Sequence, residues 1–116
     1  MAVQRFHIGK RMSKAVTCNG IVWLAGQVAD DATQDTAGQT RQVLATIDQL
    51  LADVGTDKTN LLSANIFLAD INDFAAMNSV WDAWIADGGK PARATVQAAL
   101  AGPQLKVEIV VTAALR

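Results

Sequence analysis

The hardest constraint on this chain lies near its C-terminus, where Leu105 to Ala114 reads as a strand with two faces to cover. Val107, Ile109, Val111 and Ala113 fall on one face. The other carries Glu108, Val110, Thr112 and Ala114, and is only half polar. A sheet built around such a strand needs apolar cover on one side and some cover on the other. The chain has 116 residues, which fits a single domain over 1–116. The simplest cover for the second side is another copy of the chain, packed sheet to sheet in a symmetric oligomer.

The remaining elements follow from periodicity and turn residues. Lys14 to Cys18 and Ile21 to Ala25 read as strands joined by an Asn19-Gly20 hairpin turn. An acidic loop follows, from Asp30 to Asp35. Gln39 to Val54 is a helix with Val43, Leu44, Ile47, Leu50, Leu51 and Val54 on one face, ended by Gly55. Leu61 to Ala69 alternates as a strand. Asn72 or Asp73 can cap a second helix, striped by Phe74, Met77, Val80, Trp81, Trp84 and Ile85 and broken at Gly88-Gly89. Ala94 to Leu100 forms a strand before the last one. The order is about three strands, helix, strand, helix, two strands, with both helices on one face.

Composition excludes several classes of function. Apolar residues make up 51% of the chain and the net charge is −1, so the chain folds and is a poor match for nucleic acid. No apolar run approaches the ~20 residues that span a bilayer, and the N-terminal residues lack a signal-peptide core. The single cysteine, Cys18, can form neither an internal disulfide nor a metal cluster, which suits a reduced, cytoplasmic setting. Cys18 reads as a small packing residue and His7 as an ordinary surface residue near a mobile terminus. The basic residues Arg5, Lys10, Arg11 and Lys14 read as a solvated strand and turn, and Trp81 and Trp84 as core or subunit interface.

Two residues stand out chemically. Of eleven acids, ten are Asp, and the only Glu, Glu108, sits in the most apolar strand. A carboxylate there requires a partner, a solvated cleft or a chemical task. Arg93 lies where the Gly88-Gly89-Lys90-Pro91 loop enters a strand, and its planar fork suits a carboxylate. If the last two strands pair as neighbours, Arg93 and Glu108 approach one cleft. By spacing alone, a structural Arg93–Glu108 ion pair is the commoner outcome.

Five segments in order carry a family resemblance: Trp23-Leu24-Ala25-Gly26-Gln27-Val28, Gln39-Thr40-Arg41-Gln42-Val43-Leu44, Asp73-Phe74-Ala75-Ala76-Met77-Asn78, Pro91-Ala92-Arg93 and Val107-Glu108-Ile109. From about Ser13 to Ala114 the chain resembles the RidA/YjgF/UK-type reactive-imine deaminases. The resemblance implies a chorismate-mutase-like α+β fold, a mixed sheet of about six strands with two helices on one face, and a homotrimer around a central β-barrel. It implies binding of small 2-imino or 2-oxo carboxylates at subunit boundaries and cofactor-free, metal-free hydrolysis of 2-imino acids to 2-oxo acids and ammonia. Arg93 aligns with the arginine that clamps the substrate carboxylate, helped by backbone amides near Gly26 and Thr95. Glu108 aligns with the acid that activates water, and Asn78 with an asparagine near the cleft. This chain departs from RidA itself at a tyrosine position near Gly9–Ser13, at a serine position held by Ala25 and at a cysteine position held by Thr95, which suggests a side branch. A carboxylate-sensing binding module and a catabolic deaminase of larger enamines are the alternatives. RNA cleavage, attributed to some relatives, is disfavoured by the acidity of the chain.

Overall fold

The computed structural model describes residues 2–116. One six-stranded mixed sheet, in the order β1-β2-β3-β6-β4-β5, carries both helices on a single face. The strands are β1 (Gln4–Ile8), β2 (Ser13–Cys18), β3 (Ile21–Leu24), β4 (Leu61–Leu68), β5 (Ala92–Gln97) and β6 (Val107–Ala114). The helices are α1 (Thr36–Asp53) and α2 (Phe74–Trp84). All neighbours pair antiparallel except β4 and β5, which run parallel. Parallel neighbours need a crossover, and α2 supplies it, lying between them in sequence.

The chain uses the turns that its sequence names. Asn19 and Gly20 have φ of 53° and 82°, as a hairpin turn with two left-handed residues requires. Gly55, at φ 84°, ends α1, and the amides of Gly55 and Thr56 bond back to Ala52 O and Leu51 O. The helix starts three residues before Gln39, because the Asp35 carboxylate accepts the Gly38 amide at 2.9 Å and caps it. Asp73 occupies the N-cap position of α2 without capping it. Its carboxylate instead accepts the Thr36 hydroxyl at 2.8 Å and so ties the two helix starts together. The expected strand Ala94–Leu100 is shifted to Ala92–Gln97, and the last strand starts at Val107 rather than Leu105. Segment Gln4–Ile8 is the third of the early strands, for which the sequence set no bounds, and it pairs as an edge strand with β2. His7 is therefore part of a strand and bonds Asp53 of α1 at 2.9 Å.

The core lies between the sheet and the helices. Val43, Leu44, Ile47 and Leu51 of α1 and Met77 of α2 pack on Val22, Ile66, Leu68, Ile109 and Val111. Buried Gln39 closes one end of this layer. Its amide donates to Ala32 O, Gln34 O and Gln104 O, and its carbonyl accepts the Lys106 amide at 2.9 Å. One side chain thus fixes the loop before α1 and the loop before β6.

The opposite face has no cover within the chain. Val16, Ile21, Trp23, Phe67, Val96 and Val110 lie on it, and Trp23 and Val96 are 45% and 48% exposed. This is the half-polar face expected from the alternation of β6.

Candidate active site

Arg93 is the second residue of β5, two after Pro91. It pairs with Ala64 of β4, a core residue, so its side chain rises on the helix side of the sheet. There the guanidinium stands 5.2 Å from the Trp81 ring centroid and 5.8 Å from that of Phe74, both on α2. Cation–π contacts of this kind hold the plane of an arginine while leaving its N–H edge free. Arg93 forms no ion pair among the described residues. It lines a cleft of about 300 Å3 with Asn78, Trp81, Asp82, Lys90 and Pro91. That size is at the lower end of the range for small-molecule sites.

Two buried oxygens in this region have no hydrogen-bond partner: Asn78 Oδ1 and Thr95 Oγ1. Thr95 follows Arg93 by two residues on the same face of β5, and Asn78 lies on α2 one residue short of a turn before Trp81. Buried polar atoms are almost always paired in a complete structure. Asn78 lines the cleft with Arg93, whereas Thr95 lies farther along the same face of β5, outside the cleft lining.

Glu108 lies elsewhere. It pairs with Phe67 of β4 and projects from the open face of the sheet. A Cβ on Gly26 would overlap Glu108 Oε2 and stand 3.0 Å from its carboxyl carbon. The carboxylate therefore lies across Gly26, where only a glycine leaves room. Gln27 fixes this arrangement by exchanging two backbone hydrogen bonds with Ile109, at 3.0 and 3.1 Å.

Arg93 and Glu108 do not meet within one chain. Strand β4 separates β5 from β6, and the two side chains leave opposite faces of the sheet. The pairing of the last two strands as neighbours is thus corrected, and the intrachain Arg93–Glu108 ion pair does not form. The candidate residues divide into two groups. Arg93, Asn78 and Thr95 belong to the helix side, Gly26 and Glu108 to the open side. A separate groove of about 440 Å3 between α1 and α2, over Leu44, Val80 and Trp84, contains none of them. Trp81 is buried and Trp84 donates its indole N–H to Asp48 at 2.9 Å, so the tryptophan pair is structural, with Trp81 also a seat for Arg93.

The family model for Endoribonuclease L-PSP matches residues 4–115. The chain belongs to this family, the RidA/YjgF family. A RutC family protein of Haemophilus ducreyi is 44% identical over 97% of this chain and 97% of its own length. The crystal structure of a YjgF-family protein of Neisseria meningitidis superposes with a TM-score of 0.95 at 48% identity, covering 100% of this chain and 97% of the other. A rat 2-iminobutanoate/2-iminopropanoate deaminase is 30% identical over 84% of this chain and 74% of its own length. The YjgF-type α+β fold is therefore established for this chain. Among the described residues no group of His, Cys, Asp and Glu is arranged to hold a metal ion, and no helix is long and apolar enough to cross a membrane.

Sequence reasoning did not pick out Phe74 and Trp81 as supports of Arg93, because both fit the apolar stripe of α2. It also passed over Lys90 and Asp82, which line the cleft. The only signal for them was proximity to Arg93 or to Asn78 along the chain.

Proposed function

We propose that this protein hydrolyses 2-imino acids to 2-oxo acids and ammonia. The observation that carries the proposal is the Arg93 guanidinium, seated on two aromatic rings in a small cleft and held in no ion pair among the described residues. In this reading Arg93 clamps the substrate carboxylate with two parallel hydrogen bonds. Asn78 Oδ1 and Thr95 Oγ1 take polar atoms of the substrate. Water attacks the imine carbon and forms a C–O bond, while Glu108 accepts a proton from that water. Proton transfer to nitrogen and cleavage of the C–N bond then release ammonia and leave the 2-oxo acid. The kinship with a protein named as a 2-iminobutanoate/2-iminopropanoate deaminase supports this chemistry. The reading involves no cofactor.

The division of the residues implies the assembly. A substrate bound at Arg93 cannot touch Glu108 of the same chain, since a strand lies between them and they leave opposite faces. Each cleft therefore takes Arg93, Asn78 and Thr95 from one copy and Gly26 and Glu108 from the next. Repeated around a closed ring, such head-to-tail contacts fit the homotrimer that the family resemblance implies, with inward-facing sheets forming a central barrel. A cytoplasmic setting completes the proposal.

An amino-acid oxidase that generates 2-iminopropanoate or 2-iminobutanoate in situ supplies the test. The pure protein is expected to accelerate decay of the imine, and no acceleration across several imino acids would refute the reading. Arg93→Ala and Glu108→Gln are each expected to lower turnover by about 10²–10⁴-fold. Co-refolding the two inactive variants tests the shared cleft. Random assembly restores up to roughly a quarter of the activity if each cleft draws on two copies, and none if it draws on one.

A further inference from the structure

The cleft holds a second cation that a single carboxylate does not use. Lys90 lines it together with Arg93, and neither forms an ion pair among the described residues. Asp82 lines the same cleft but stands beyond ion-pair range of both, so neither charge is neutralised in place.

The backbone on each side of Lys90 is anchored. Gly89 is buried, and a Cβ there would stand 2.8 Å from the Cα of Thr59, so this turn is pressed against the short 3-10 turn Lys58–Asn60. Pro91 follows, fixing its own φ and holding Lys90 in extended backbone, at φ −71° and ψ 116°. An exposed lysine usually roams, but this one leaves a fixed root beside the cleft.

Spacing sets the kind of ligand. Lys90 and Arg93 are three residues apart in extended chain, so their Cα atoms stand about 10 Å apart. The flexible four-carbon stem of Lys90 can bring its ammonium within reach of a small dicarboxylate held by Arg93. A carboxylate held by Arg93, with two or three carbons beyond it, places a second carboxylate toward Lys90.

We propose that Lys90 is a specificity residue and that the preferred substrates are 2-imino dicarboxylic acids of four or five carbons. This rests on the imine-hydrolase reading of the same cleft. The stable 2-oxo acids serve as binding probes that need no turnover. Calorimetry is expected to show tighter binding of 2-oxoglutarate than of 2-oxobutanoate, by about fivefold, the most that an exposed ion pair usually supplies. High salt should narrow that ratio. Lys90→Gln should bring the ratio near one, and Lys90→Glu should invert it. The ratio of kcat/KM for the two corresponding imino acids should move in parallel.

Equal binding of both probes by the wild-type protein overturns the proposal, as does a ratio unmoved in both Lys90 variants. Turnover of 2-iminobutanoate without a Lys90-dependent ratio sinks the specificity and leaves the hydrolase reading standing. A Lys90-dependent binding ratio without any turnover supports the specificity and sinks the hydrolase. Binding of neither probe overturns both.

Discussion

Gly26 and Glu108 show how one residue is chosen by another. The carboxylate of Glu108 occupies the space a side chain at position 26 would fill. The overlap involves the far end of a flexible side chain, so Gly26→Ala should fold normally and displace the carboxylate. Its expected signature is an unchanged thermal midpoint with imine turnover reduced by about 10²-fold, since a misplaced base loses both its reach and its alignment. A fall in midpoint with turnover intact would mean that Glu108 and Gly26 matter for packing alone. Glu108 was legible in the sequence because a lone carboxylate in an apolar strand needs an explanation. The reason for Gly26 was not legible, because the atom that excludes a side chain lies 82 positions away.

At the scale of elements, α1 is held at both ends by side chains outside its apolar stripe. Gln39 bonds four backbone groups in two loops. Gln39→Ala should cost about 1–3 kcal/mol, because it leaves buried amide and carbonyl groups unpaired. Chemical denaturation measures this directly, and a loss below 0.5 kcal/mol would show that water replaces the side chain at no cost. At the other end, Asp53 accepts hydrogen bonds from Gln49 and from His7 of β1. These hold the Asp53 carboxyl below its ordinary value of 3.8, Gln49 contributing most. A group with a depressed folded pKa stabilises the fold above its unfolded value and loses that contribution as pH falls through the folded one. The stability gap between wild type and Asp53→Asn should therefore be present at about pH 5 and close as pH falls below about 4. A gap that persists undiminished at low pH would assign it to packing instead. The core face of α1 was legible from its three- and four-residue spacing. Strand β1 was legible only as a third early strand without bounds, since its half-buried Phe6 meets the core only through pairing with β2.

For the whole molecule, the proposed assembly rests on the open face of the sheet. Trp23 and Val96 are exposed on it beside Val16 and Val110. Exposed apolar residues on an uncovered sheet face suit an interaction site. Trp23→Asp places a charge on this face without touching the helix-side core, so it should yield folded monomers. Sedimentation or light scattering reads the mass, and circular dichroism reads the fold. A trimer that survives this change would have to be built on another surface. Turnover should fall with the trimer, because each monomer then keeps only half of every cleft.

The sequence by itself determined the local devices: the Asn19-Gly20 turn, the Gly55 stop, the stripes of both helices, and the alternation that left one face of β6 half polar. It also singled out Arg93 and Glu108 by their residue types and surroundings. The tertiary structure alone decided that β4 stands between β5 and β6, and that Arg93 rises toward the helices while Glu108 points away. Alternation fixes the face of a side chain only relative to its own strand. Which strand becomes its neighbour, and in what register, depends on pairing across the chain. That pairing turned a presumed ion pair into two groups on opposite faces and made a second copy of the chain part of the proposed chemistry.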